Sequence, residues 1–196
     1  MRKNLDIVLC NIPFMSVAYA PAGTSLLKAC LQKAGFSCKV KDYNIKLWDS
    51  QSDKKIIDTL ENYFTINTSL NTDTQILLEQ YYDLIVSELV ELNPRWIGFS
   101  VFTFQCQRAT TEILQRLRTR FKGKIMVGGA GISTRGIASS NADYADKLIK
   151  DNLIDAYIKG DGDIALIELL KGNFDFSGIN GNPYKGVPDL HIIPKP

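Results

Sequence analysis

The sequence predicts a doubly wound α/β domain built on a five-stranded parallel sheet with a helical insertion. Three observations predict it. Short apolar segments of the kind that form strands covered on both faces recur along the chain. Each is followed by a segment with apolar residues at helical spacing. Glycine or Asn-Pro closes most of those helices. Strand and helix alternate five times, as a parallel sheet with crossover helices requires.

Residues 5–10 read as the first strand, with Ile7-Val8-Leu9-Cys10 as its apolar centre and Asn11-Ile12-Pro13 after it. Residues 22–34 carry Leu26, Leu27, Ala29, Cys30, Leu31 and Ala34 on one helical face, and Gly35 ends that helix. Residues 36–40 alternate and lead to Asp42, a second strand. Residues 43–93 interrupt the rhythm with two helical patterns, 53–63 and 74–92, around a Thr- and Asn-rich loop. Asn93-Pro94 stops the second pattern.

The alternation resumes with a strand at 96–101 and a helix at 106–121 ended by Gly123. A strand at 124–127 breaks at Gly128-Gly129-Ala130-Gly131, and residues 141–150 are helical. A fifth strand at 154–158 and a helix at 161–170 follow, closed by Gly172. These readings place one domain at 1–172 with its insertion at 43–93. Residues 173–196 read as a short strand, Leu190-His191-Ile192-Ile193, and a proline-rich linker ending Pro194-Lys195-Pro196. A chain that stops on that tripeptide is expected to continue into a further domain.

Composition narrows the function classes. The 196 residues are 45% hydrophobic and 22% charged, ordinary for a globular domain. Lys and Arg total 23 against 21 Asp and Glu, a net charge of +2, so there is no electrostatic case for nucleic acid or an anionic membrane. No apolar run approaches the roughly 20 residues that span a bilayer. The N-terminal apolar stretch is too short for a signal-peptide core, so a cytoplasmic location is expected. Cys10, Cys30, Cys38 and Cys106 form no Cys-x-x-Cys pair and no Cys-x-x-x-Cys-x-x-Cys cluster motif. They are expected as small buried hydrophobes.

In such sheets ligands bind beyond the carboxyl ends of the strands, where the strand order reverses. The loops there contain Pro13 and Ser16, then Ser100, Phe102 and Thr103, then Gly128, Gly129 and Gly131, then Gly160 and Gly162. In the third of these loops, three of four residues are glycine, which favours close approach of a ligand over a plain turn. Ser100 and Thr103 offer hydroxyls for a ligand or for capping the following helix. Phe99, Phe102 and Phe104 are expected as core and cleft lining. No nucleophile stands beside a base, and the only histidine, His191, is remote from these loops in sequence.

Gly160-Asp161-Gly162-Asp163-Ile164-Ala165 fits the dinucleotide fingerprint Gly-x-Gly-x-x-Gly/Ala. It sits in the fifth unit rather than the first, and Asp161 and Asp163 put negative charge where a pyrophosphate would rest. Those carboxylates suit the positive end of a helix dipole instead.

The phrases at the strand ends resemble, in order, those of the N-terminal cobalamin-binding domain of B12-dependent radical-SAM proteins. The first helix carries Pro21-Ala22-Gly23-Thr24-Ser25-Leu26-Leu27 and ends in Ala34-Gly35, and the second strand ends in Asp42. Pro94-Arg95-Trp96-Ile97-Gly98-Phe99-Ser100 matches the family's Pro-x-x-Ile/Val-Gly-x-Ser strand, and Val127-Gly128-Gly129 its Gly-Gly strand end. Gly160-Asp161-Gly162-Asp163 stands where the family has Gly-x-Gly-Glu, with Asp for Glu. Gly186-Val187-Pro188-Asp189-Leu190 matches the Gly-x-Pro-Gly-Leu lead into the linker, with Asp for the second Gly.

The resemblance implies a Rossmann-like corrinoid-binding module. Cobalamin would lie over the strand ends against Pro13, Ser16, Tyr19, Ser100, Phe102, Thr103, Gly128, Gly129, Gly131, Gly160 and Gly162. The Asp-x-His-x-x-Gly motif that supplies a cobalt-ligating histidine elsewhere is absent. The resemblance also implies a C-terminal radical-SAM domain as partner, with the [4Fe-4S] cluster and S-adenosylmethionine held there and methyl transfer as the activity of the whole. Two other readings remain open. One is a domain of this fold without corrinoid that shapes a substrate channel or binds a protein through its insertion. The other is a nucleotide-binding Rossmann enzyme.

Overall fold

The chain folds as five parallel strands covered by helices on both faces. A computed structural model describes residues 5–17, 22–133 and 143–183. The elements run β1 (Ile7–Asn11), α1 (Ala22–Lys33), β2 (Cys38–Asp42), α2 (Tyr43–Asp49), α3 (Lys54–Ile66), α4 (Thr72–Leu92), β3 (Trp96–Ser100), α5 (Gln105–Arg120), β4 (Lys124–Gly128), a 3-10 turn (Ala130–Ser133), α6 (Tyr144–Lys150), β5 (Ala156–Ile158) and α7 (Gly162–Lys171). The sheet order is β2-β1-β3-β4-β5. The chain moves one way from β1 to β2 and the other way from β3 to β5, so the order reverses between β1 and β3. The predicted Tyr19 and the predicted strand around His191 lie outside the described residues.

The period of two along each strand sorts side chains into two cores. Val8, Cys10, Ile97, Phe99, Ile125, Val127 and Tyr157 face the larger one, under α2 to α6. Ile7, Leu9, Trp96, Met126, Ala156 and Ile158 face the smaller one, under α1 and α7. Each buried Val, Leu, Ile, Phe or Met side chain among them contributes roughly 1.5–3 kcal/mol through removal from water. All four cysteines are free and buried, Cys10 and Cys106 in the larger core and Cys38 in the smaller.

The insertion has three helices rather than two. Helix α2 is only seven residues long, too short to show a period; it forms because the Asp42 carboxylate accepts from the Ile45 amide at its start. Helix α4 takes the covering place between β2 and β3, and its Leu78, Tyr82, Ile85, Val86 and Leu89 are buried. Its Asn71 side chain accepts from the Thr74 amide, and Asn93 ends it in the left-handed region, at φ 42°. Arg116 of α5 pairs with Glu79 and Asp83 of α4 and with its own Glu112. The buried apolar sides of α3 and α4 thus pack inside the domain, while Ile66, Ile76 and Leu84 stay exposed.

Phe64 of α3 marks this integration. It is 1% exposed and stacks on Phe14 of the β1–α1 loop at 5.3 Å between ring centroids. Phe64→Ala is expected to lower the stability of the whole domain by about 3–5 kcal/mol. Urea unfolding checks this: a single transition moved to lower urea is expected. A loss below about 1 kcal/mol would make the insertion a separately folding unit.

Residues 173–183 return to the sheet. Ile179 is fully buried, bridges Ile158 in antiparallel fashion and packs with Phe174 and Phe176 on the smaller core. The Asn180 side chain accepts from the Tyr157 amide at 2.9 Å, tying this segment to β5.

Candidate functional site

One row of paired residues crosses the carboxyl end of the sheet: Asp42, Asn11, Ser100, Gly128 and Ile158. One position back along the same face, Leu9, Gly98 and Met126 are in register. Two of the residues on this face are glycines, Gly98 and Gly128. With no side chains there, the sheet is recessed between α1 and α7, and a cleft of about 420 Å³ opens over it.

Leu9, Gly98, Ser100, Met126, Gly128 and Ile158 form the floor of the cleft. Its walls are Thr24, Leu26 and Leu27 of α1 and Gly162, Asp163 and Leu166 of α7. Phe102, Gly129, Ala130, Gly160 and Asp161 stand at its mouth. Phe102 is 58% exposed, an aromatic ring held out where a ligand would enter. The recess at Gly98 is tight: a Cβ there would come within 2.9 Å of Leu9 Cδ2. At Gly128 the nearest atom to such a Cβ would be the Ile158 carbonyl oxygen at 3.6 Å, an ordinary contact.

The lining is mostly apolar; besides Ser100 on the floor and Asp161 at the mouth, two polar side chains stand in the walls. Thr24 is 2% exposed and its Oγ1 has no hydrogen-bond partner. Asp163 is 6% exposed and its Oδ2 has none either. Both stand in the first turns of their helices, where free amides favour negative charge. Burial, with the Asp163 carboxylate nearby, pushes the Cys30 thiol of α1 above its ordinary range. None of the described lining residues is His, Cys, Lys, Arg or Tyr.

The structure brings six of the sequence-predicted residues together at this cleft: Ser100, Phe102, Gly128, Gly129, Gly160 and Gly162. Four others lie elsewhere. Pro13 is buried in the β1–α1 loop, on the insertion side of the sheet. There the Asn44 side chain accepts from the Met15 amide and donates to its carbonyl, at 2.9 and 3.0 Å, and Trp48 Nε1 donates to the same carbonyl. Ser16 follows on the exposed end of that loop. Thr103 contacts Gln105 and Cys106 through its hydroxyl.

Gly131 is buried under the β3–α5 loop. A Cβ on it would lie 2.6 Å from the Thr103 carbonyl oxygen. Gly129, at φ +103°, would place one 2.7 Å from the Val101 carbonyl oxygen. The small size of these two glycines serves the close passage of two loops of this chain. Neither Ser100 nor Thr103 caps α5 through its side chain: the N-cap is Phe104, which makes no side-chain cap bond. Phe99 is core, as expected, and Phe104 is 40% exposed.

Sequence reasoning did not find Leu9, Thr24, Leu27, Gly98, Met126 or Asp163 as cleft residues. Gly98 carried a signal, since a glycine inside an apolar strand marks a place where something approaches the sheet closely. Among the described residues no group of three or more His, Cys, Asp or Glu is placed to hold a metal. No helix among the described residues is long and apolar enough to cross a membrane.

No family model matches the chain, and no curated protein matches it. Solved structures do. The radical S-adenosylmethionine methyltransferase TsrM from Kitasatospora setae, with cobalamin and a [4Fe-4S] cluster bound, aligns at TM-score 0.58 and 17% identity. That alignment covers 90% of this chain and 27% of TsrM. The same enzyme with its tryptophan substrate and the SAM analogue aza-SAM aligns at TM-score 0.53 and 20% identity, over 88% of this chain and 28% of that one. The chain spans little more than a quarter of these neighbours. What it shares with them is the fold, a Rossmann-like α/β unit with an all-parallel five-stranded sheet and helices on both faces.

Proposed function

We propose that this chain is the cobalamin-binding module of a B12-dependent radical-SAM enzyme of methyltransferase type. The observation that carries the proposal is the position of the cleft. It lies over glycines of β3 and β4 at the carboxyl end of the sheet, in a fold shared with a protein solved with cobalamin bound. The site also suits the group chemically. A recessed apolar floor accepts a flat heteroaromatic body. Exposed Phe102 and the loop at Gly129 and Ala130 border the mouth, where a macrocycle too large for the cleft would rest.

On this reading Gly98, Ser100, Met126, Gly128 and Ile158 hold the inserted part of the corrinoid, and Phe102, Gly129, Gly160 and Gly162 border the rest. A bound corrinoid supplies a cobalt centre able to carry a methyl group. The described residues include no histidine, and no side chain lining the cleft carries a nitrogen. On this reading the module holds the corrinoid by shape and hydrogen bonds, without a histidine ligand to cobalt, in keeping with a sequence that lacks the Asp-x-His-x-x-Gly motif. Its four cysteines are buried and free, and among the described residues none belongs to a group of three or more His, Cys, Asp or Glu placed to hold a metal. On this reading a C-terminal radical-SAM domain would hold the [4Fe-4S] cluster and S-adenosylmethionine, with residues 1–172 as the binding unit and 173–196 leading toward that domain.

The test is a titration with hydroxocobalamin, gel filtration, and an absorption spectrum of the protein peak. Retention near one to one at micromolar concentrations is expected. No retention at tens of micromolar would overturn the reading in favour of a domain of the same fold that has lost the ligand. The dinucleotide reading is disfavoured by the buried Asp163 carboxylate at the start of α7, where a phosphate would have to sit.

A further inference from the structure

We propose that Thr24 and Asp163 form a buried polar pair that selects the ligand by receiving a neutral hydrogen-bond donor from it. The proposal rests on the corrinoid reading and deepens it. The two side chains enter the cleft from facing walls, Thr24 from the first turn of α1 and Asp163 from the first turn of α7. Both are more than nine-tenths buried, and each has a polar atom, Thr24 Oγ1 and Asp163 Oδ2, without a partner. A buried carboxylate oxygen left unpaired is costly, and the free amides of a helix start offset only part of that cost. The cleft around it is lined mainly by apolar residues, Leu27 and Leu166 among them. The missing partner therefore arrives with the ligand.

The chemistry of the pair says what that partner is. An ionised carboxylate only accepts hydrogen bonds, while a threonine hydroxyl both donates and accepts. The inserted part of the ligand must present an O–H or N–H at this depth, on an otherwise apolar body. A phosphate, which offers only acceptors and negative charge, is refused. A corrinoid meets the requirement in two ways: through a primary amide on the corrin rim, or through a ribose hydroxyl on the nucleotide tail.

The experiment compares the wild-type chain with D163L, D163N and T24V. Affinities for hydroxocobalamin and for dicyanocobinamide, which lacks the tail, are read by absorption, and each ligand-free chain is melted. D163L is expected to weaken cobalamin binding roughly ten- to hundredfold. Its ligand-free melting temperature is expected to stay level or rise, because a near-isosteric apolar group replaces an unpaired carboxylate. D163N, which keeps an acceptor oxygen, is expected to lose less affinity, and T24V to lose some. A loss confined to cobalamin assigns the donor to the ribose; a loss shared with cobinamide assigns it to a corrin amide. D163L binding cobalamin as tightly as wild type, or melting lower without ligand, would overturn the proposal while the corrinoid reading stands. A wild-type chain that retains no cobalamin would overturn both.

Discussion

Gly131→Ala is expected to cost the fold about 3 kcal/mol, lowering the melting temperature by roughly 6–12 °C. The reason is steric and leaves little room for relief. The added Cβ would meet three backbone atoms, Thr103 O at 2.6 Å, Thr103 C at 2.7 Å and Val101 O at 2.8 Å. Backbone cannot swing aside as a side-chain end can. The Gly131 amide also donates to the Val101 carbonyl at 2.9 Å, and the Gln107 side chain donates to the Gly131 carbonyl at 2.7 Å. The loop is thus pinned from both sides at the point of contact. Thermal melts of the wild-type and G131A chains check this. A variant that melts within a degree of wild type while losing ligand affinity would instead return Gly131 to the binding site.

Gly128→Val is expected to do the opposite, leaving the fold nearly intact and closing the site. Gly128 ends β4 at ordinary backbone angles, and a Cβ there would meet nothing closer than the Ile158 carbonyl at 3.6 Å. Valine suits a strand, so a stability change below about 1 kcal/mol is expected. Its methyl groups would rise from the cleft floor, where a ligand would have to lie. Cobalamin affinity is expected to fall roughly ten- to hundredfold, as for overpacking a filled site. Absorption-monitored titration beside a thermal melt separates the two effects. Undiminished binding by a well-folded G128V chain would move the corrinoid away from this cleft.

These two glycines stand three residues apart in one loop and read alike in the sequence. Glycine signals that something comes close to the backbone, and it does so equally for a ligand and for another stretch of the same chain. At 129 and 131 the neighbour is the backbone of residues 101 to 103; at 98 and 128 the open side is the cleft. The same limit applies to Pro13 and Ser16. Their place after the first strand put them among the candidates, but the Phe14 ring stacks on Phe64 and the Asn44 and Trp48 side chains hold the Met15 backbone, all on the insertion side. Those contacts join residues about 30 to 50 positions apart. No local pattern encodes them.

Asp163 shows a third kind of gap. Its position at a helix start was visible, and pairing with the helix dipole was a sufficient account of it. Its burial was not visible, because that depends on α1 packing against α7 across more than a hundred residues of sequence.

The sequence by itself determined the order and type of the sheet strands and of the helices between them, apart from the seven-residue α2. Apolar periodicity, helix stops at Gly35, Asn93-Pro94 and Gly172, and five-fold alternation are all local, and they sufficed to specify a parallel α/β fold. They also located the strand ends where a ligand would bind. Only the tertiary structure decided which face of the sheet carries the cleft and which residues line it. That choice depends on parallel register between strands up to about 90 residues apart, such as Leu9 beside Gly98. It depends also on which helix covers each face. Both are set by the packing of the whole domain, because a residue's exposure is a property of its neighbours in space.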